Sequence, residues 1–213
     1  MIIKWIKVEV PIDKKIPFSQ AQEFWNELKS MEGFLGQAGG WNQNKETEAC
    51  IVAFWKDYNS YKVFMNDYHD DIYERSKQRG TFDRITTSVY QSMFMINDNN
   101  PTKILSQAQI LRVAECIVHR EKQEHFTSMQ EQVWNPEMST STGFLSGVFC
   151  KAEKADTEYF VSSFWESKEF HEQYIVNKLA LLREKSQVSE DLIDIHGTIV
   201  DLNEAWLVVN PNQ

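Results

Sequence analysis

Residues 33–77 read Gly33-Phe34-Leu35-Gly36-Gln37-Ala38-Gly39-Gly40-Trp41, continue through Ala49-Cys50-Ile51-Val52-Ala53-Phe54-Trp55, and end at Glu74-Arg75-Ser76-Lys77. Shifted by 110 positions, the same stretch falls on residues 143–187 without a gap. Nine of the 45 aligned positions are identical, where average composition gives roughly three. The identities cluster: Gly33-Phe34-Leu35 meets Gly143-Phe144-Leu145, Thr47-Glu48 meets Thr157-Glu158, and Phe54-Trp55 meets Phe164-Trp165. The chain carries an internal duplication.

Working outward, each copy reads strand, helix, strand, strand, helix, strand. First strands are expected at Ile3–Val10 and Ile110–Val118, second strands from Phe34 and Phe144, and third strands at Ala49–Trp55 and Tyr159–Trp165. Apolar residues at spacings of three and four (Ala21, Phe24, Trp25, Leu28, Met31) mark the first helix of the first copy. Ser19-x-x-Gln22 and Thr127-x-x-Gln130 have the capping-box form and are read as helix starts. In the second copy, Pro136 should shorten or kink that helix. Asp57 and Ser167 are expected to cap the second helices, whose stripes are Tyr61, Phe64, Met65, Tyr68 and Ile72, then Phe170, Tyr174, Ile175 and Leu182. Last strands are expected at Ser88–Ile96 and Ala205–Val209.

This order is the split β-α-β-β-α-β ferredoxin-like unit. A sheet covered by helices on one face leaves the other face bare, and a second copy can cover it. The expected fold is α+β: two tandem ferredoxin-like repeats forming a pseudo-dimeric α/β barrel within one chain. The turn formers Asn97-Asp98-Asn99-Asn100-Pro101 place a linker at 98–109, between an N-terminal repeat at 1–97 and a C-terminal repeat at 110–213.

Composition narrows the function. Of 213 residues, 22 are Lys or Arg and 31 Asp or Glu, a net charge of −9. Without a basic patch, that field opposes a nucleic-acid partner. Seven Trp and thirteen Phe supply a large core. No run reaches the ~18 apolar residues of a membrane span, and the N-terminus lacks a secretory leader, so the expected protein is cytoplasmic, with no membrane partner. Cys50, Cys116 and Cys150 have no spacing for a disulfide framework or a zinc site. The chain is expected to be a monomer with its own barrel, or a weak homodimer.

The Gly-Phe-Leu segment, the Phe-Trp ending of strand three, and the polar cap leading into an aromatic helix (Trp165-Glu166-Ser167-Lys168-Glu169-Phe170) together resemble the dimeric α/β-barrel superfamily. The nearest branches are the antibiotic-biosynthesis monooxygenase-like and haem-degrading monooxygenase families. The chain also resembles an uncharacterised bacterial family of tandem-domain proteins. The resemblance implies a cofactor-independent monooxygenase-like protein that acts on or binds an electron-rich small molecule. The alternatives are a haem-binding or haem-degrading relative and a non-catalytic module for a small ligand or protein. The haem branch pattern is an Asn on strand one, then a Trp and a His on helix two; neither copy keeps it, and His69 is the nearby replacement ligand.

Cofactor-free oxygenation needs an enclosed apolar pocket, a proton acceptor and a donor for the developing oxyanion. The strand and helix reading offers His69, Tyr68, Tyr90 and Tyr174 as catalytic candidates, with Trp41, Phe64 and His196 lining the pocket. No cofactor and no metal are expected, with haem as the alternative. An aromatic stripe at helical spacing is first of all a core-packing feature. His69-Asp70-Asp71 reads as a solvated helix face, because adjacent helical side chains diverge by about 100°. His119 and His125 bracket a polar turn and are read as exposed.

Overall fold

The computed structural model of the chain describes residues 1–97 and 101–210. The first repeat comprises β1 (Ile2–Glu9), α1 (Lys15–Gln22) with a 3-10 continuation over Glu23–Ser30, β2 (Phe34–Asn42), β3 (Lys45–Trp55), α2 (Tyr58–Asp67), α3 (His69–Ser76) and β4 (Arg84–Ile96). After α4 (Pro101–Gln107) the pattern repeats. It runs β5 (Ile110–Val118), α5 (Gln123–Met129), a π-helical turn at Gln130–Trp134, α6 (Asn135–Ser139), β6 (Phe144–Ala152) and β7 (Glu158–Trp165). Then come α7 (Lys168–Tyr174), a π-helical turn at Ile175–Leu179, α8 (Ala180–Ser186), α9 (Val188–Asp191), β8 (Leu192–Leu202) and the short β9 (Val208–Val209).

The identities that revealed the duplication have local causes. Gly33 and Gly143 both take left-handed φ values, 73° and 75°, which favours glycine. A Cβ there would lie 2.2 Å from Ser60 Oγ or 2.3 Å from the Phe170 ring, so helix two packs directly on the turn. Each glycine carbonyl accepts the N–H of the residue after the strand-three Trp, Lys56 at 2.7 Å and Glu166 at 2.9 Å. Immediately afterwards both second strands slip register, between Phe34 and Gly36 and between Phe144 and Ser146. Both second helices also end on a left-handed residue at aligned positions, Lys77 and Gln187.

Strands β1 and β3 pair antiparallel with Ile2 opposite Trp55, and β5 and β7 repeat this with Ile110 opposite Trp165. The hydrogen-bonded order is β3-β1-β4-β6-β7-β5-β8-β2, and β2 pairs back onto β3, so eight strands close one ladder; β9 adds to β2. The fold is thus α+β, two tandem ferredoxin-like repeats in a pseudo-dimeric α/β barrel. Among the described residues, 1–89, 101–106 and 200–210 form one compact unit, and 90–97 with 107–199 form a second. In the first, Trp206 is fully buried with Phe18, Val8 and Ile51. In the second, Ile96 packs with Ile110, Phe144 and Trp165.

Several local expectations are corrected. Neither Ser19 nor Thr127 caps a helix, since both lie inside one. The Ser19 hydroxyl is instead taken by tertiary partners, accepting the Trp206 indole N–H at 2.8 Å. Asp57 and Ser167 do cap, accepting the N–H of Ser60 and Phe170. Pro136 does not shorten its helix: it lies in the first turn of α6, and the helical geometry changes just before it, at the π-helical turn Gln130–Trp134. The last long strand is Leu192–Leu202 rather than Ala205–Val209, where Asn203 starts a 3-10 turn. Of the linker expected at 98–109, residues 98–100 lie outside the described ones, and Pro101–Gln107 is helical.

Candidate active site

The first unit holds a partly open cavity of about 320 Å³ between its sheet and its helices. On the sheet side, alternation brings Lys4, Ile6 and Val8 of β1, Ile51, Ala53 and Trp55 of β3, and Gln37 of β2 to the cavity. On the helix side stand Phe18, Trp25, Phe64, Met65, His69 and Tyr73. Most of this wall is apolar, and its few polar groups are placed individually.

His69 reaches the cavity because helix two breaks one residue earlier. Tyr68 has φ −128°, so α2 stops and His69 opens α3. Asp70 and Asp71 then sit in the first turn, where the helix dipole favours acids. Asp71 remains outside with Arg75 at 2.9 Å, while the imidazole packs inward against Trp25, Phe64 and Tyr73 at centroid distances of 5.4, 5.7 and 6.2 Å. The solvated-face reading therefore holds for the carboxylates and fails for the ring. His69 Nδ1 lies 2.8 Å from Asp70 Oδ1. Burial lowers its pKa, the nearby Lys4 charge acts in the same direction, and Asp70 opposes both. The ring is held toward its neutral form, able to accept a proton.

Lys4 is the second polar group. It is 8% exposed, and burial alone pushes its pKa down to about 8. Its ammonium donates to Met65 Sδ at 3.4 Å, a weak acceptor, and lies 5.9 Å over the Tyr61 ring. No lining residue is Asp or Glu.

The remaining polar groups are amides and indoles. Trp25 Nε1 donates to Gln78 Oε1 at 3.0 Å, and Gln78 Nε2 donates to Gln22 Oε1 at 2.9 Å. An indole N–H only donates, so the orientation of the relay is fixed and its far end is the Gln22 amide nitrogen. Gln37 Nε2 and Trp55 Nε1 are buried without a partner within the described residues.

The other candidates lie elsewhere. Tyr68 is 46% exposed and does not line the cavity. Trp41 packs on Phe18 and Trp206 at 6.0 and 5.4 Å, with Lys15 Nζ 4.1 Å over its ring. His196 is exposed on β8. Tyr90 and Tyr174 belong to the second unit. There Tyr90 stacks on Phe160 at 4.7 Å, and Tyr174 packs on Trp165 at 4.9 Å, its pKa pushed up to about 12 by burial. Tyr174 also borders a smaller pocket of about 150 Å³ with Thr140, Phe170 and Lys178. His119 is exposed as expected, but His125 is not free: its Nδ1 lies 2.8 Å from the fully buried Asp191 Oδ2. No group of His, Cys, Asp or Glu suited to a metal occurs among the described residues, and none of their helices is long and apolar enough to cross a membrane.

Comparison with known proteins places this geometry in a family. A family model, Domain of unknown function (DUF4937), matches residues 2–90. The uncharacterized protein YdbC of Bacillus subtilis (strain 168) is 34% identical over 93 residues, 43% of this chain and 78% of YdbC. The chain belongs to the family of YdbC. The DUF4937 match spans the cavity-lining residues from Lys4 to Thr87. Among solved structures, a provisionally named monooxygenase from Fusobacterium nucleatum superposes with TM-score 0.76 at 12% identity, covering 98% of this chain and 94% of that one. Another from Lactobacillus acidophilus gives 0.75 at 9%, covering 98% and 96%. A haem-degrading enzyme from Listeria monocytogenes gives 0.53 at 9%, covering 94% and 99%. At such identities the likeness is one of fold: monooxygenase-like and haem-related proteins share the architecture of this YdbC relative.

Sequence reading alone missed Lys4, Gln37 and the Trp25-Gln78-Gln22 relay. A signal for Lys4 was present. Shifting strand one by 108 instead of 110 sets Ile2 on Ile110, Lys4 on Arg112 and Val10 on Val118. The register agrees, since Lys4 lies opposite Ala53 and Arg112 opposite Ser163.

Proposed function

We propose that this protein is a cofactor-independent monooxygenase-like enzyme that binds a small electron-rich molecule in the first-unit cavity. The observation that carries this reading is the largely apolar cavity with one imidazole held toward neutrality and one buried ammonium on its wall. A volume of about 320 Å³ lies at the small end of the ~300–1,000 Å³ typical of small-molecule sites. It suits a ligand of two or three fused rings.

In this reading His69 accepts the proton that leaves the substrate, and Lys4 with the Gln37 amide faces the oxygen on which charge develops. The resulting carbanion, rather than a cofactor, reduces dioxygen. A substrate CH₂ becomes a carbonyl, one oxygen atom enters the product and the other leaves as water, so all electrons come from the substrate. Phe64 and Trp55 act as walls that exclude water.

Haem is the competing occupant, since a haem-degrading enzyme shares the fold. His69 is the imidazole available, but its ring is packed among Trp25, Phe64 and Tyr73, and the cavity is small for a porphyrin. These residues do not fit haem. The test is oxygen consumption by metal-free protein over a panel of fused-ring phenols, with parallel haem titration. Substrate-dependent uptake lost in His69→Ala is the expected result. A Soret shift that disappears in the same variant, without uptake, would replace this reading with the haem one.

A further inference from the structure

We infer that the ligand of the first-unit cavity is an anion, held through an acidic oxygen by Lys4. The inference rests on the proposed use of the cavity and adds the charge of what enters it.

The Tyr73 and Thr87 hydroxyls and the Gln37 amide on the wall can accept as well as donate, but no lining side chain brings negative charge. The wall carries an ammonium at Lys4, a relay whose far end is an amide N–H at Gln22, and indole and amide donors at Trp55 and Gln37 that have no partner among the described residues. It carries no carboxylate. Burying a cation without a counter-charge is strongly unfavourable, and folded chains meet that cost by pairing or by exposing the group to water. Lys4 has no counter-charge and little water: it is 8% exposed, and its ammonium has a thioether as hydrogen-bond acceptor and the Tyr61 ring 5.9 Å away. The neighbouring imidazole adds no negative charge.

The strand pattern gives no structural reason for the cation. Ile2, Ile6 and Val8 share its face of β1 and are the residues expected of a buried strand. Yet the equivalent position in the second repeat is again a cation, Arg112. A ligand oxyanion supplies the missing counter-charge, and its apolar body fills the space bounded by Ile6, Ile51, Phe64 and Trp25. An ionised phenol and a carboxylate offer the same chemistry to Lys4.

Calorimetric titration of the full chain at pH 7 separates the possibilities with matched probes. Naphthoate is compared with neutral naphthamide, dinitrophenolate with neutral dinitroanisole, and naphthylmethylammonium serves as the cation. At least one anion should bind about tenfold more tightly than its neutral counterpart, with the cation weakest; the better of the two identifies the acidic group. The preference should survive in Lys4→Arg and vanish in Lys4→Met. Neutral probes binding as well as anions, a preference unchanged in Lys4→Met, or no binding by any probe would each overturn the inference. Anion preference without oxygen uptake would sink only the catalytic reading, and oxygen uptake without anion preference would sink only this one.

Discussion

The indole N–H of Trp206 donates to the Ser19 hydroxyl at 2.8 Å, joining residues 187 positions apart. Trp206 is fully buried, with Phe18 at 5.6 Å and Trp41 at 5.4 Å. The segment after β8 is thereby part of the first unit's core.

Truncating that ring should be among the more damaging single changes in the chain. Trp206→Ala is expected to cost about 3–5 kcal/mol, the range for a large aromatic removed from a packed interior. Ser19→Ala should cost about 1–3 kcal/mol by orphaning a buried donor. Urea denaturation followed by tryptophan emission measures both. A Trp206→Ala loss below about 1 kcal/mol would show that this ring is not a core element.

Much of the architecture was legible because the duplicated residues answer to backbone demands. Gly33 and Gly143 are needed for their left-handed φ and for contact with helix two, and Asp57 and Ser167 for their cap hydrogen bonds. Such requirements act within a few residues, so they show in sequence. Ser19 looked like a cap because a hydroxyl followed by Gln22 has the right spacing, but its partner is Trp206, which no local pattern announces. The site divided along the same line. His69 could be placed on helix two, yet its inward turn depends on the break at Tyr68. The cavity wall draws on Lys4, Gln37, Trp55 and Gln78, four separate segments. Lys4 was not singled out, since alternation on a strand buried on both faces does not reveal which face lines a cavity.

Lys4→Met should make the protein more stable at neutral pH while removing the cavity's cation. The folded pKa of Lys4 is near 8, against 10.5 for an ordinary lysine. Below pH 8 the amine is protonated in both states, and the folded state bears the full burial cost, up to about 3 kcal/mol. Between pH 8 and 10.5 the unfolded chain binds the extra proton, so wild-type stability gains on the variant as pH rises. The Met variant's advantage should therefore be largest at pH 7 and shrink towards pH 10.5. Paired urea titrations at the two ends measure it, and an advantage that does not change with pH would show that Lys4 is not desolvated.

His171 is expected to govern part of the acid sensitivity of the second unit. Its ring is buried at 2% exposure, 5.5 Å from Trp165, and its Nε2 has no partner among the described residues. Burial first, and the Arg112 charge second, lower its pKa from 6.5 to about 4. Above pH 6.5 the imidazole is neutral folded and unfolded, so its contribution is fully retained. As pH falls from 6.5 to 4, the unfolded chain takes up a proton that the folded chain refuses, and up to about 3 kcal/mol is lost. Below pH 4 both states are protonated and the loss stops growing. His171→Phe keeps a ring against Trp165 but cannot take up a proton, so its stability should fall less steeply than that of the wild type across this window. Carboxylates titrate alike in both proteins, which makes the difference between the two curves the informative quantity. Parallel curves from pH 7 to pH 4 would mean that the buried imidazole charges as easily in the folded chain as in the unfolded one.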